Sequence, residues 1–336
     1  MEYRTQNDYM IRAGVPDDVP QIVSLFNEVY GESSHPCRHP DFVRASLQHD
    51  IWRVALAGSE IVACSAGMWH SWNQLYERGR SVTHPEFRTH GLGRRVLDAV
   101  LEAMWAQPRC DLVVGYPRSD VMTRLLFKEM SPPFIIVGHD GGMNVADGMR
   151  EYHLIGMNVN PHHQPLRIIP PGPTCYSTTF IEGQLLPRLT FHTREEAYPP
   201  ADIVGPSIAS RAHSRSWSIG YQYDPGGESL QVTDLDGQMD DPERRLDALA
   251  SCLEEAPEAT HRWMYVLYDK TDFILGMQDL GFQVSAFLPG WFYTERARYD
   301  CVLLTQCISP EPPVAQGTQE FINLFDSTLN HQTTLA

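Results

Sequence analysis

The sequence has few basic residues and no long hydrophobic run. Of its 336 residues, 26 are Lys or Arg and 42 are Asp or Glu, which gives a formal net charge of −16. Nucleic-acid binding needs clustered Lys and Arg against the phosphates, and the chain has no such cluster. Its apolar stretches fall short of the roughly 18 residues of a membrane-spanning helix, and its start contains no apolar signal region. These absences predict a cytoplasmic protein with neither a nucleic-acid nor a membrane partner.

The cysteines do not form a recognisable framework. There are seven, an odd number, and no two have the CxxC spacing, so reduced thiols are expected rather than disulfides. His35, Cys37 and His39 could supply metal ligands, but no second cluster accompanies them, and a loop without metal is the preferred interpretation. The acidic residues within 234–241 lack the glycine and the final glutamate of a calcium loop. The sequence therefore predicts no metal site.

The length suggests two domains, at about 100–200 residues each. Helix and strand signals alternate in the first part, where the segment from Val54 to Trp69 predicts two strands joined at a Gly-Ser turn. A proline-rich segment without periodicity follows and predicts a boundary. The expected organisation is a first domain over 1–157, a linker over 158–174, a second domain over 175–308 and a polar tail over 309–336.

One segment, Thr83 to Leu97, carries the clearest chemical signal. It reads THPEFRTHGLGRRVL and is predicted to run from a strand through a tight loop into a helix. Arg88, Gly91 and Gly93 have the spacing R-x-x-G-x-G. Backbone amides at a helix start bind phosphate, and glycines let the phosphate approach the backbone. The segment therefore predicts a phosphate or pyrophosphate site.

This segment, with its preceding T-H-P-E-F-R, resembles the acetyl-CoA-binding loop and helix of the GNAT superfamily of N-acyltransferases. The order of elements from Ile11 to about Met157 is also similar to that fold. The resemblance implies an α/β (α+β) protein with a mixed, mostly antiparallel twisted sheet flanked by helices, and acetyl-CoA or another acyl-CoA as co-substrate. The residues that it implies for cofactor binding are Val82, Thr83, Arg88, Thr89, His90, Gly91, Leu92, Gly93 and Arg94.

The usual proton donor of the family is missing. Its fourth helix often carries a Tyr that protonates the departing thiolate, in the arrangement N-x-x-A-x-x-L-Y, whereas here the run from Asp120 ends in Phe127. Phe has no proton to donate. Tyr116, at the end of the adjacent predicted strand, is the nearest replacement by sequence, with a packing role as the alternative. The other alternative is that the thiolate leaves without much help.

Acyl transfer to an amine also requires a proton acceptor, because an ammonium must lose its proton before it attacks. Glu77, His70 and His84 lie on or just before the strand that leads to the loop. Glu77 is the preferred base, since it precedes Thr83 by six residues on the wall of the expected cleft; an exposed surface Glu is the alternative. His84 and Glu86 are interpreted as parts of the turn around Pro85.

The second half resembles the same fold only in part. Residues 263–282, WMYVLYDKTDFILGMQDLGF, are similar to the family's strand, helix and return strand. The corresponding helix start reads Asp240-Asp241-Pro242-Glu243, where carboxylates repel a pyrophosphate and the proline removes an amide donor. We expect a degenerate copy that does not bind CoA and that completes the acceptor cleft of the first domain.

The predicted function is the transfer of an acyl group from CoA to a primary amine by direct attack. Residues 161–336 hold 11 basic and 23 acidic side chains, which favours a small cationic acceptor over a protein N-terminus. Two other classes stay open: a non-catalytic acyl-CoA sensor, which the missing Tyr favours, and a decarboxylase of malonyl thioesters related to this fold.

Overall fold

The computed structural model describes residues 9–31, 35–117, 134–146, 149–172, 181–207, 210–214, 217–237, 242–254, 256, 258–308 and 319. No helix within these ranges combines the length and the apolar character needed to cross a membrane. We call the part from β1 to β9 the first half and the part from β10 to β18 the second half.

The first half contains twelve described α-helices and β-strands. In chain order they are β1 (Tyr9–Ala13), α1 (Val19–Tyr30), α2 (Pro40–His49), β2 (Ile51–Ala57), β3 (Glu60–His70), β4 (Leu75–Thr83), α3 (Leu92–Trp105), β5 (Leu112–Gly115), β6 (Ile135–His139), β7 (Asn144–Ala146), β8 (Met149–Glu151) and β9 (Leu154–Val159). The two strands predicted around Gly58 are confirmed as β2 and β3. Gly58 has a φ of +66°, the left-handed backbone that such a turn requires.

The second half contains eleven described α-helices and β-strands. They are β10 (Leu166–Ile169), β11 (His192–Glu195), β12 (Ile203–Val204), β13 (Arg211–His213), β14 (Trp217–Asp224), β15 (Ser229–Gly237), α4 (Pro242–Glu254), β16 (His261–Leu267), α5 (Thr271–Asp279), β17 (Gln283–Thr294) and β18 (Ala297–Cys307).

Most of the strands join one continuous sheet. Its order is β1-β2-β3-β4-β5-β9-β6-β17-β18-β16-β15-β14-β13. The pairing is mostly antiparallel, and β4–β5 and β15–β16 are parallel. The predicted α/β class with a mixed sheet and flanking helices is therefore confirmed.

The two halves repeat one pairing pattern. In the first, β5 is parallel to β4 and antiparallel to β9, which pairs with β6. In the second, β16 is parallel to β15 and antiparallel to β18, which pairs with β17. Each parallel pair is connected by a helix, α3 or α4. The division into domains 1–157 and 175–308 stays a prediction, but Leu166–Ile169, within the expected linker, form β10 and pair with β18.

The halves meet edge to edge between β6 and β17. Gly138 pairs with Ala286 there, and a Cβ on Gly138 would lie 2.3 Å from the carbonyl oxygen of Ser285. Only glycine allows this approach of the two backbones. One buried apolar cluster extends across the junction, from Leu75 and Val114 to Phe287.

Two buried arginines also tie the halves together. Arg298 of β18 donates to the carbonyl of Asn73 at 3.2 Å and to the carboxylate of Asp111 at 3.3 Å. Arg150 of β8 donates to the carbonyl of Gly227 at 2.7 Å. A buried guanidinium is costly unless its donors are satisfied, so these contacts fix how the halves sit together.

Candidate active site

The predicted phosphate loop is a 3₁₀ turn, Pro85–His90, followed by Gly91 and the start of α3. Gly91 has φ +64° and ψ 12°, the left-handed conformation. A Cβ there would meet nothing within 4 Å, so glycine is required by the backbone conformation and not by lack of space. His84 begins the turn, because its Nδ1 accepts the amide of Glu86 at 3.3 Å, and its Nε2 lies 2.7 Å from the carboxylate of Glu28.

The loop folds back on the end of β4. A Cβ on Gly93 would lie 2.9 Å from Oγ1 of Thr83, so the absence of a side chain lets α3 start against the strand. The Nε of Arg88, which is exposed, donates to the carbonyl of Thr83 at 3.3 Å. The structure therefore brings together the strand end, the arginine and both glycines, as the spacing predicts.

The first backbone amides of α3 precede the hydrogen bonds of the helix itself. The first hydrogen bond within the helix runs from the amide of Arg95 to the carbonyl of Gly91, at 3.2 Å. The amides of Leu92, Gly93 and Arg94 come before it and have no acceptor inside the helix. Gly91 has no side chain that could cap them, and the dipole of a 14-residue helix favours an anion at this end. This arrangement can bind a phosphate.

A cleft between β4 and β5 leads to this helix start. The parallel pairing covers only Tyr76↔Val113, Glu77↔Val114 and Arg78↔Gly115, whereas β4 continues to Thr83. Over Gly79 to Thr83, no strand of the described chain pairs with β4 on its β5 side. An extended ligand can therefore lie along this edge of β4, where the carbonyls of Gly79 and Ser81 also accept side-chain hydrogen bonds.

A bulge shapes this stretch of β4. The register with β3 shifts between Gly79, opposite Ala66, and Val82, opposite Cys64, and Arg80 within the bulge has φ +50°. Left-handed backbone costs a residue with a side chain about 1–2 kcal/mol.

The side chain of Arg80 is held by α2 and the residue after it. Its guanidinium binds Ser46 and Asp50 and lies 4.8 Å from the centroid of the Phe42 ring. These contacts hold the bulge in place against the helix.

Glu77 and His70 form one hydrogen-bonded pair. Oε2 of Glu77 lies 3.0 Å from Nε2 of His70 across the β3–β4 hairpin. Their side chains are 28% and 37% exposed, so the pair is accessible to a substrate and to water. A proton taken by one partner can pass through the other to solvent. Glu77 and His70, which the sequence offers as alternative bases, are therefore direct neighbours in the structure.

Tyr116 lies directly after β5, and its hydroxyl is hydrogen-bonded to that of Tyr265 in the second half. Burial, with the nearby Tyr265 and the charge of Glu77, raises the pKa of Tyr116 well above its ordinary value. The hydroxyl therefore stays protonated at neutral pH. No local pattern in the sequence predicts the contact with Tyr265, which lies on β16.

The other sequence candidates have local roles or lie elsewhere. The ring of His35 stacks on Phe26 and Tyr30, at 4.7 and 4.8 Å between centroids. Among the described residues, no group of three or more His, Cys, Asp or Glu side chains could hold a metal ion. Asp120 and Phe127 lie outside the described residues, as do Asp240 and Asp241.

The second half has the equivalent cleft, but a strand fills it. The β15–β16 pairing ends at Val232↔Met264, and β16 then pairs with β12 through Val204↔Tyr265 and Ile203↔Val266. A Cβ on Gly205 would lie 2.9 Å from Cα of Thr233, so β12 is packed closely against β15. In the second half, β12 thus occupies the position that no described strand occupies beside β4.

The carboxylate of Asp202, just before β12, binds Arg245 of α4. A cavity of about 200 Å³ remains beside them, and its lining is Asp202, Arg245, Asp269, Lys270, Thr271, Asp272 and Phe273.

The strand registers show which residues correspond in the two halves. Glu77 lies in the second-to-last residue pair between β4 and β5, and Gln231 lies in the second-to-last residue pair between β15 and β16, so the two positions correspond. A neutral amide cannot accept a proton as a carboxylate can.

No protein-family model and no curated protein matches the chain. Among solved structures, the chain is similar to GNAT acetyltransferases. One is the ribosomal-protein-S5-alanine acetyltransferase from Vibrio fischeri, with 13% identity, a TM-score of 0.41, and coverage of 49% of this chain and 98% of that one.

A second similar structure is the acetyltransferase of the GNAT family from Streptococcus pneumoniae, with 15% identity, a TM-score of 0.39, and coverage of 45% of this chain and 99% of that one. A third is a spermidine N-acetyltransferase SpeG chimera from Vibrio cholerae and hSSAT, with 12% identity, a TM-score of 0.39, and coverage of 46% and 98%. Each match spans about half of this chain and nearly all of the other protein.

Proposed function

We propose that the chain is an N-acyltransferase that moves an acetyl or other acyl group from CoA to a primary amine of a small acceptor. The observation that carries this proposal is the glycine-capped start of α3 beside the unpaired stretch of β4. A phosphate-binding helix start and a free strand edge at one cleft suit a ligand with a pyrophosphate and a long, amide-containing arm. The proposed location is the cytoplasm.

The residues of the loop have separate roles in this proposal. The amides of Leu92, Gly93 and Arg94 hold the pyrophosphate, with Arg88 and the backbone of Thr89 and His90 at its rim. The acyl-bearing arm lies along β4 between Gly79 and Val82, where its amides pair with backbone groups of the strand. The thioester then lies near Glu77, where β4 and β5 separate.

The acceptor ammonium loses one proton before it attacks, and Glu77, with His70 hydrogen-bonded to it, accepts that proton directly or through a water. The nitrogen loses a second proton to water once the C–N bond has formed, which balances the proton that water later gives to the thiolate. The amine nitrogen attacks the thioester carbon, the C–N bond forms and the C–S bond breaks, and the electron pair leaves on sulfur as the thiolate of CoA. The products are an amide and CoA.

Tyr116 assists the departure of the thiolate as a hydrogen-bond donor. An ordinary thiol has a pKa of about 8.5, whereas the pKa of Tyr116 lies well above the ordinary Tyr value. Full proton transfer from Tyr116 to the thiolate is therefore unfavourable, and a donated hydrogen bond with later protonation by water is the step that fits the site.

Calorimetric titration with acetyl-CoA tests the cofactor site. The expected result is binding with one equivalent per chain, because the second cleft is filled by β12. Gly93→Asp places a carboxylate at the phosphate and a Cβ against Thr83, and should abolish binding. Gly58→Asp, in the exposed β2–β3 turn, is the matched control and should bind as the wild type does. A wild-type protein that does not bind acetyl-CoA overturns the proposal.

Thiol release separates the three candidate activities. A transferase releases CoA from acetyl-CoA only when an amine is added, and the acylated amine gains the mass of the acyl group. A sensor binds acetyl-CoA without turnover. A malonyl-thioester decarboxylase releases carbon dioxide from malonyl-CoA in the absence of any amine.

A further inference from the structure

A group of aromatic rings lies where the two halves meet next to the candidate site. We call Trp72, Trp263, Tyr265 and Trp291 the junction cluster. Trp72 belongs to the turn between β3 and β4, whereas the other three lie on β16 and β17. The cluster therefore joins the hairpin that carries His70 and Glu77 to the second half.

The rings of the junction cluster are in direct contact. The centroid of Tyr265 lies 5.9 Å from that of Trp72 in a stacked arrangement and 4.9 Å from that of Trp291. Trp72 and Trp291 are 6.5 Å apart, edge to face. Trp72 and Trp263 are partly exposed, while Tyr265 and Trp291 are buried. The cluster thus has a buried base and an accessible rim.

The base of the cluster contains an unused donor. The indole nitrogen of Trp291 is buried without a hydrogen-bond partner in the described structure, and the residue is only 3% exposed. Buried Trp nitrogens usually have a partner. An unpaired donor at this position can be satisfied by a polar atom of a ligand or by a water.

Tyr265 links the cluster to the reacting groups. Its hydroxyl is hydrogen-bonded to that of Tyr116, and the charges of Glu77 and Asp140 both act on the two hydroxyls. The rings are apolar and the nearby charges are negative. A ligand that matches both features is an amine with a positive nitrogen and an apolar body.

We infer that the second half completes the acceptor site: Trp72, Tyr265 and Trp291 contact the apolar body of an amine whose nitrogen lies at Glu77. This inference rests on the proposed acyl transfer and names its acceptor class. The acceptor is a small monoamine with an apolar body. A second ammonium at its far end would have to leave water beside the buried rings of Tyr265 and Trp291, and this desolvation outweighs its attraction to the rings, so diamines are poor acceptors.

The test compares hexylamine with its diamine counterpart of equal length. The expected kcat/KM with acetyl-CoA is about tenfold higher for hexylamine, because the far ammonium of the diamine must leave water to reach the rings, whereas the terminal methyl of hexylamine need not. Trp72→Ala should remove this preference through KM, with kcat little changed. Trp72→Phe, which keeps a ring, should restore part of it. A preference for the diamine overturns the inference.

Trp69→Ala is the matched control, because Trp69 is on the same hairpin but packs on Tyr76, at 4.9 Å between centroids, and not on the cluster. It should leave the preference intact. Equal effects of Trp69→Ala and Trp72→Ala contradict the inference.

A readout without turnover separates this inference from the proposed function. In the presence of CoA, hexylamine should change the tryptophan fluorescence of the wild type and of Trp69→Ala, and change it much less in Trp72→Ala. Acetyl-CoA binding should be equal in all three proteins. If the wild type does not bind acetyl-CoA, the proposed function is contradicted. If it binds acetyl-CoA normally but does not respond to hexylamine, only the acceptor assignment is contradicted.

Discussion

The two halves share one pairing pattern and differ in what lies between their parallel strands. Beside β4, no strand of the described chain fills the cleft, which leads to a glycine-capped helix, and Glu77 lies at the end of the cleft. Beside β15 the cleft is filled by β12, and the corresponding position is Gln231. The same topology thus carries one site with the groups for chemistry and one that is closed by its own chain. The difference shows that the sheet pattern alone does not determine function.

The largest expected effect tests the contrast between Glu77 and Gln231. Glu77→Gln should lower kcat about a thousandfold, because a positioned general base contributes about 10²–10⁴-fold. Steady-state assays by thiol release measure it. Acetyl-CoA binding should persist, since Glu77 does not touch the phosphate loop.

Gln231→Leu is the control on β15 and should leave kcat unchanged. Equal loss in both variants would mean that the second half also takes part in the chemistry, and the contrast would be broken.

The next effect concerns the buried contacts of Arg298 between the two halves. Arg298→Met leaves the carbonyls of Asn73 and Gln74 and the carboxylate of Asp111 without their donor. Breaking a buried charged network costs about 3–5 kcal/mol, which urea unfolding would show as a lower midpoint.

Arg296→Met is the matched control, because Arg296 is exposed in the adjacent turn. It should change the free energy of unfolding by less than about 0.5 kcal/mol. Two separate unfolding transitions in Arg298→Met would indicate that the halves fold independently.

A smaller effect depends on pH. Burial and the charge of Arg150 lower the pKa of His261 to about 4. Unfolding returns it to about 6.5, so the unfolded chain binds the proton between these values. The neutral ring therefore favours the native state fully above pH 6.5, and this contribution, about 3 kcal/mol, is lost as the pH falls towards 4.

His261→Gln should flatten this part of the curve of unfolding free energy against pH. An unchanged slope between pH 6.5 and 4 would mean that His261 does not couple folding to protons.

The smallest effect separates backbone strain from ligand binding. Gly91 and Gly58 both have left-handed backbone with open space around the missing Cβ. Alanine at either position should cost about 1 kcal/mol in unfolding free energy. Only Gly91→Ala should also weaken the binding of acetyl-CoA, which calorimetric titration measures. If both variants bind equally well, the helix start is not the phosphate site.

Local patterns in the sequence predict the phosphate loop and its glycines, because a turn and a helix start depend on adjacent residues. The sequence offers both Glu77 and His70 as candidate bases, but their hydrogen bond depends on the register of the β3–β4 hairpin. The contact between Tyr116 and Tyr265 joins strands of different halves and has no local signal.

β12 has only two residues, too few for a periodic pattern. The alternation of Trp263 and Tyr265 could have predicted an aromatic face on β16, though not what that face contacts.

The junction of β6 with β17 has a consequence for solubility. A strand at the edge of a sheet presents free amides and carbonyls on which another chain can add a strand. Each half uses the other to cover such an edge, and Gly138 makes this close approach sterically possible. Each half therefore covers a strand edge of the other. Either half expressed alone would expose this edge and is expected to self-associate.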